Sequence, residues 1–478
     1  MAGLMDAPVS ASIWKLMPSA TTGARCRVNR CAPAANVSWR IRPVNIGMLF
    51  AAPLLGLFMS ATAAGQQLAT QPSALNRLSP AEKAAGWKLL FDGRTTDHWR
   101  GYQRKGFPEK GWVIEDGCLH VVAGAGGGDI ITIDQYQNFE FVLEWRVSEK
   151  ANSGIMYRVT EQYDAPWKTG PEYQILDDVG YGLAPTESHS AGALYDLYPP
   201  AENKTALAAG QFNTTRIVID DNRLQHWLNG VKIIECDLDG EEWKQRVAAS
   251  KFSVYEAFGT QVKGHIGLQD HGNDVWFRNI KIRDLSAPMP DEVRLFNGRD
   301  LTGWTAFLLD DGRMEDVWSV REGILFCKGR PAGYIRTEAD YTNYVLRLEW
   351  RFNPVTKEAG NSGVLLRMIG QDKVWPRSVE AQLQSGSAGD FWNIDEFPMK
   401  AAPERTSGRN TKKTHFAERP IGEWNSYEII VDGASITLKV NGETVNEASE
   451  VMEIAGKICL QSEGAEIHFR NIRLAPIK

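Results

Sequence analysis

Apolar and polar residues alternate along this chain in short runs, with few helical stripes. Phe139, Phe141, Leu143, Trp145 and Val147 fall on every second position, and a period of two places them on one face of a β-strand. Tyr344, Leu346, Leu348, Trp350 and Phe352 repeat the pattern. Val275 to Ile282 and Ile467 to Leu474 read as further strands. Asp432-Gly433 before Thr437 to Val440 reads as a hairpin turn, and Asp220-Asp221-Asn222 stands in the same place earlier in the chain. No long stretch of period 3.6 competes. The pattern predicts an all-β protein of many short strands, a sandwich or jelly roll.

The same motifs then occur twice, in the same order. Leu90-Phe91-Asp92-Gly93 returns as Leu295-Phe296-Asn297-Gly298, Leu143-Glu144-Trp145-Arg146 as Leu348-Glu349-Trp350-Arg351, and Asn152-Ser153-Gly154 as Asn361-Ser362-Gly363. Glu172-Tyr173-Gln174 returns as Glu380-Ala381-Gln382, and Phe277-Arg278-Asn279-Ile280 as Phe469-Arg470-Asn471-Ile472. A duplicated domain explains this better than a short solenoid repeat. Copy one is expected over 81–285, a linker rich in proline over 286–290, and copy two over 291–478. Copy one carries extra residues, Cys236 to Gln261, where copy two has none; inserted loops at the rim of a β scaffold often carry function.

A length of 478 residues agrees with more than one domain. Residues 1–65 read as a targeting segment: Arg40 and Arg42 precede an apolar run, Ile46 to Met59, with Ala61-Thr62-Ala63 as a small-residue cleavage site. The run is short for a membrane span. A periplasmic or secreted protein without stable membrane insertion is therefore expected. Removing 1–65 takes away six basic residues and Asp6, which moves the net charge from −6 to about −11. An acidic protein is a poor partner for nucleic acid. No Gly-x-Gly-x-x-Gly opens a helix after a strand, so no nucleotide is implied, and Gly-x-Ser-x-Gly is absent. Cys118, Cys236, Cys327 and Cys459 form no repeated framework and read as free thiols.

The candidate chemistry clusters in copy one. Glu172 and Gln174 are two apart and share a strand face. Arg158 follows Asn152 by six residues; it either pairs with Glu172 or serves the site, and Arg367 stands in the same relation to Glu380 and Gln382. His189 and Tyr195 flank a stretch of small residues. Gln269, Asp270 and His271 precede the last strand, Lys251 lies in the insertion, and Asp177 follows the Glu172 strand. Asn152 and Asn361 read as turn residues completed by Ser-Gly, Asn229 and Asn441 as hairpin turns, and Arg278-Asn279 as scaffold. Trp227, Trp243 and Trp276 are candidates for stacking on sugar rings. Glu172, Asp177, His189 and His271 are plausible ligands for a divalent ion, Ca²⁺ or a transition metal. No spacing resembles a known metal motif, so neither the metal nor any cofactor is established.

Leu-Phe-Asp/Asn-Gly with a following Trp, Asn-Ser-Gly, Glu-x-Gln, and Leu-Gln ahead of Phe-Arg-Asn-Ile together resemble the 3-keto-disaccharide hydrolase domain family, twice over, across nearly everything after residue 86. The resemblance implies two tandem concanavalin-like jelly rolls and a carbohydrate substrate oxidised at sugar carbon 3. It implies deprotonation at C2, elimination of the C1 substituent and hydration. Such chemistry needs a general base, a donor for the developing enediolate oxygen and a proton donor for the leaving group. His189 or His271 is the expected base, and Arg158 the expected oxyanion donor. The rival from another class is a lectin-like, non-catalytic carbohydrate-binding protein of the cell envelope.

Overall fold

The computed structural model describes residues 75–478; the expected targeting segment lies outside them. Alternation gives the expected faces. In the strand Phe139–Val147 every odd-numbered residue is buried, and in Tyr344–Phe352 every even-numbered one is. Each copy folds as the expected jelly-roll sandwich of two antiparallel sheets. In copy one an eight-stranded sheet, centred on Phe139–Val147 and Val275–Asp284, faces a five-stranded sheet. The latter runs Trp99–Gly101, Ile130–Thr132, His265–Leu268, Asn152–Val159, Glu172–Leu176. Copy two repeats this with nine and eight strands. No described helix is long and apolar enough to cross a membrane. Cys118, Cys327 and Cys459 are buried free thiols and Cys236 is a half-buried one.

The duplicated motifs resolve into joints of this scaffold. Asp92 and Asn297 each accept backbone N–H bonds two residues on, and the next tryptophans, Trp99 and Trp304, donate Nε1–H to the Leu90 and Leu295 carbonyls. Asn279 and Asn471 have positive φ at a bulge in the last strand. Their amides, with Arg278 and Arg470, donate to Glu144 and Glu349. The bulge thus explains why Phe-Arg-Asn-Ile and Leu-Glu-Trp-Arg occur together. Asn229-Gly230 and Asn441-Gly442 both have φ > 0, as a type I′ hairpin turn requires.

Three expectations are corrected. Asn152, Ser153 and Gly154 are not a turn but the start of the strand Asn152–Val159. The insertion is not a plain loop: Cys236 and Asp237 end a strand, and Glu241–Ala249 forms an α-helix followed by a 3₁₀ turn, Lys251–Val254. The tryptophans are not sugar platforms on the Glu172 face. Trp227 and Trp243 are buried, and Trp276 lies in the opposite, eight-stranded sheet, stacked on His120 at 4.5 Å.

The two sandwiches meet through a small apolar patch and an ion network. Ala84, Ala85 and Met289 pack on Val345 and Ala475. Arg283 bridges Glu140 of copy one and Glu428 of copy two, and Glu428 also accepts from Arg347. All four are largely buried. Burial opposes ionisation of both carboxyls, but Arg216 and Arg283 hold Glu140 at about 2, and Arg283, Arg347 and Lys439 hold Glu428 well below the ordinary range. Their stabilisation is full above the ordinary carboxylate value of 4.5 and drains as pH falls toward about 2. Glu428→Ala leaves Arg347 buried without its carboxylate and takes from Arg283 one of its two. It should cost about 3–5 kcal/mol in guanidinium unfolding at neutral pH; a loss below about 1 kcal/mol would remove the network as a structural tie.

Candidate functional site

The outer face of the five-stranded sheet in copy one gathers the polar residues. Strand register pairs Met156 with Glu172 and Gly154 with Gln174, so the two polar side chains rise on the same face as Gly154. The Glu172 side chain lies across that glycine: its Oε1 is 1.9 Å from where a Cβ on Gly154 would stand. Only glycine admits this approach. Ser153 donates Oγ–H to the Gln269 carbonyl (2.8 Å), and Gln269 donates its N–H to the Gly154 carbonyl. Asn-Ser-Gly, Glu-x-Gln and Leu-Gln are therefore one construction seen from three strands.

Glu172 is 8% exposed. Among the described residues its carboxyl has no ion pair. Burial raises its pKa to about 8; Lys251 opposes the rise and Asp129 adds to it. The Gln174 and Asn152 side-chain oxygens on the same face are buried without a hydrogen-bond partner among the described residues. Lys251 sits 4.3 Å from the Tyr195 ring centre and 5.5 Å from that of Trp167. Tyr195 donates its N–H to the Glu172 carbonyl (3.0 Å), and its ring lies 4.9 Å from His189. His189 contacts Asp196 at 3.1 Å. Glu172, Gln174, Gln269, Lys251, Tyr195 and His189 thus belong to one neighbourhood, and the insertion contributes Lys251 to it.

Other candidates stand apart from it. Asp177 accepts the Lys150 N–H and holds a turn. Asp270 accepts N–H bonds from Gly128 and Gly272, tying two loops together, while His271 beside it is exposed. Arg158 forms no ion pair with Glu172. It sits at a bulge with φ 55°, burial lowers its pKa, and the acidic side chain acting on it is Asp239. Arg367, at the matching bulge with φ 51°, shows what such an arginine does. It donates to the carbonyls of Met452, Thr342 and Gly433, bracing a hairpin away from Glu380. Gln382 turns its Oε1 to the N–H groups of Leu383 and Gln384. Glu380 alone repeats the Glu172 geometry, across Gly363.

Three residues were not singled out from the sequence. Asp129, next to the Gly-rich loop, faces the site; burial lifts its pKa to about 6, against the bond from the Asp270 N–H. Its place one residue before an apolar strand was the only signal. Asp196 orients His189 from seven residues away. Lys204 is buried and donates to Asp178, Ser190 and the Ala191 carbonyl, which fixes the loop that carries His189. Nothing in the sequence marks Lys204, because its partners come from distant segments. Among the described residues no three His, Cys, Asp or Glu side chains converge as a metal-binding group.

Because the folded protein favours neutral Glu172, the stability this group contributes is present below its ordinary value of 4.5 and is lost as pH rises through about 8. Glu172→Gln removes that loss. Its melting temperature should gain on the wild type at about pH 9 relative to about pH 5. An equal difference at both values would show that the carboxyl ionises normally.

The family model of the 3-keto-alpha-glucoside-1,2-lyase-like domain matches residues 86–283 and again 291–475. The 3-keto-disaccharide hydrolase of Bacteroides thetaiotaomicron is 34% identical over 232 residues, covering 42% of this chain and 79% of that protein. A solved structure of a candidate glycosyl hydrolase from Parabacteroides distasonis is 34% identical, covering 45% of this chain and 100% of its own, with a TM-score of 0.41. A second from the same organism is 28% identical, covering 42% and 99%, with a TM-score of 0.33. With both of its sandwiches matched, the chain belongs to the 3-keto-alpha-glucoside-1,2-lyase-like domain family.

Proposed function

We propose that copy one cleaves 3-keto glycosides by elimination and hydration. The reading rests above all on one observation: an unpaired carboxyl, Glu172, is buried over Gly154 beside the Lys251 cation, with a pKa of about 8. A ketone at sugar carbon 3 acidifies the C2–H bond. Glu172 as carboxylate takes that proton, and the electron pair moves onto the ketone oxygen as an enediolate, which Lys251 stabilises. The pair then returns to form the C1–C2 double bond while the C1–O bond breaks. His189, oriented by Asp196, protonates the departing oxygen. Water adds across C1 and C2, with hydroxyl to C1 and a proton to C2, so the net reaction is hydrolysis. Lys251 takes the donor role expected of Arg158, and Glu172 the base role expected of a histidine, because those two side chains share the neighbourhood. A divalent ion is not required by these steps. An exported location, periplasmic or secreted, accompanies this reading through the apolar run at Ile46 to Met59.

The test is turnover of methyl 3-keto-α-glucoside in D₂O. Free 3-ketoglucose should appear with deuterium at C2; product without it would exclude the elimination. Glu172→Gln should lower kcat/KM by about 10²-fold or more. The base must be ionised, so kcat/KM should climb as pH rises and level off above about 8. Saturable glycan binding with no product from any 3-keto glycoside would favour the lectin-like alternative.

A further inference from the structure

Copy two keeps the carboxyl-over-glycine construction but changes what surrounds it. On the outer face of its eight-stranded sheet, Leu365 pairs with Glu380, Glu380 with Trp392, and Tyr334 with Gln461. The Glu380 and Gln461 Oε1 atoms converge above Gly363, 2.2 and 2.5 Å from where its Cβ would be. Gln461 is 2% and Glu380 5% exposed. Among the described residues both oxygens, with Asn361 Oδ1, lack a hydrogen-bond partner. Glu463 lies close enough for its charge to act on Glu380. The unpartnered atoms are all acceptor oxygens; the N–H donors beside them are the amide groups of Asn361 and Gln461 themselves. The cation acting on Glu380, Arg409, is exposed at the rim. Nothing in copy two corresponds to the insertion that brings Lys251, or to His189 with Asp196.

Buried acceptors without donors are costly until a ligand supplies hydrogen. A sugar ring with intact neighbouring hydroxyls supplies two or three O–H donors, and its apolar CH face suits a half-buried indole such as Trp392. A ketone at the same carbon supplies none, so it would set one more acceptor against three. Neutral Glu380, whose pKa burial and Glu463 raise to about 8, could give one proton and would still leave two acceptors open. We infer that copy two is a second carbohydrate site, which retains the unoxidised glycoside through Glu380, Gln461 and Asn361 and discriminates against its 3-keto form. The inference rests on the reading of this chain as acting on glycosides. It adds a site that holds the parent sugar without turning it over.

The experiment uses the full chain carrying Glu172→Gln, so that copy one does not consume the ketone. Binding of methyl α- and β-glucopyranosides and of their 3-keto derivatives is followed by calorimetry and by saturation-transfer NMR. At least one glucoside should bind saturably. Adding Gln461→Ala or, separately, Trp392→Ala should weaken it about tenfold or more, with unchanged melting behaviour. The matching ketone should bind at least about tenfold more weakly to the site these variants remove, as expected where a site built for a hydroxyl meets an analogue lacking it. No binding by either glucoside, ketone binding as tight as the parent, or indifference to both substitutions would overturn the inference. So would Ca²⁺ binding that Gln461→Ala abolishes without any effect on glycosides, since the oxygens would then form a cation site. Turnover by the wild-type chain is read separately: glucoside binding without turnover would sink the proposed function alone, and turnover without glucoside binding would sink this inference alone.

Discussion

A carboxyl group laid flat over a glycine, within a sheet, is the constraint on which both halves of the molecule depend. The side chain can lie there only if the neighbouring strand has no Cβ, and Gly154 and Gly363 meet that need beneath Glu172 and Glu380. Lying flat removes the carboxyl from water, so burial raises both to about 8. An exposed glutamate at the same position would stay ionised and strongly hydrated. Pressed on the sheet, it becomes a group that can gain or lose a proton near neutrality. The serine before each glycine secures the arrangement, because Ser153 and Ser362 reach the Gln269 and Gln461 carbonyls on the adjoining strand.

The rest of each sandwich serves to hold that face still. The bulges at Asn279 and Asn471 are clamped to Glu144 and Glu349, and the arginines at φ 55° and 51° sit at the end of the central site strand. Gly192 and Gly389, also with φ > 0, turn the chain back so that Tyr195 bonds the Glu172 backbone carbonyl and Trp392 pairs with Glu380 across the sheet. Behind Gly192, His226 is buried between the Tyr157 hydroxyl and the Gly192 carbonyl. Burial lowers its pKa to about 3, so it remains a neutral prop. At the junction of the copies the charges behave differently. Glu140 and Glu428 are as buried as Glu172 but have arginine partners, and they stay ionised. Partnering, more than burial, separates the carboxyls that stay ionised from those whose pKa rises.

Local patterning made the strands and the duplication legible, because alternation and hairpin glycines act over a few residues. Glu172 with Gln174 was legible too, since a spacing of two fixes a shared face. Arg158 could not be placed. Six residues after Asn152 suggests the same strand, but the bulge at Arg158 changes the side-chain direction, and a bulge leaves little trace in one sequence. The role of Lys251 depended on the insertion folding as a helix and a tight turn that return it toward Glu172. Lys204 was invisible because its contacts join separate segments, and Asp196 because the loop that folds it back on His189 has no periodic pattern to read. Asn152-Ser153-Gly154 shows the opposite error: a string that favours turns is held extended by hydrogen bonds to two neighbouring strands.

What distinguishes the copies is a matter of donors and acceptors more than of fold. Both present an unpaired carboxyl and orphaned amide oxygens on the same sheet face. Copy one adds a cation, Lys251, and a histidine–aspartate pair; each copy has a second carboxyl acting on the first, Asp129 in copy one and, where copy one has His271, Glu463 in copy two. An enediolate oxygen calls for the first arrangement, because its developing charge needs a cation nearby. A ring of hydroxyls calls for the second, because each hydroxyl can donate. Duplication therefore lets one scaffold carry two differently lined faces: the framework motifs repeat, while the insertion that brings Lys251, the loop that carries His189 and the exchange of His271 for Glu463 differ between the copies.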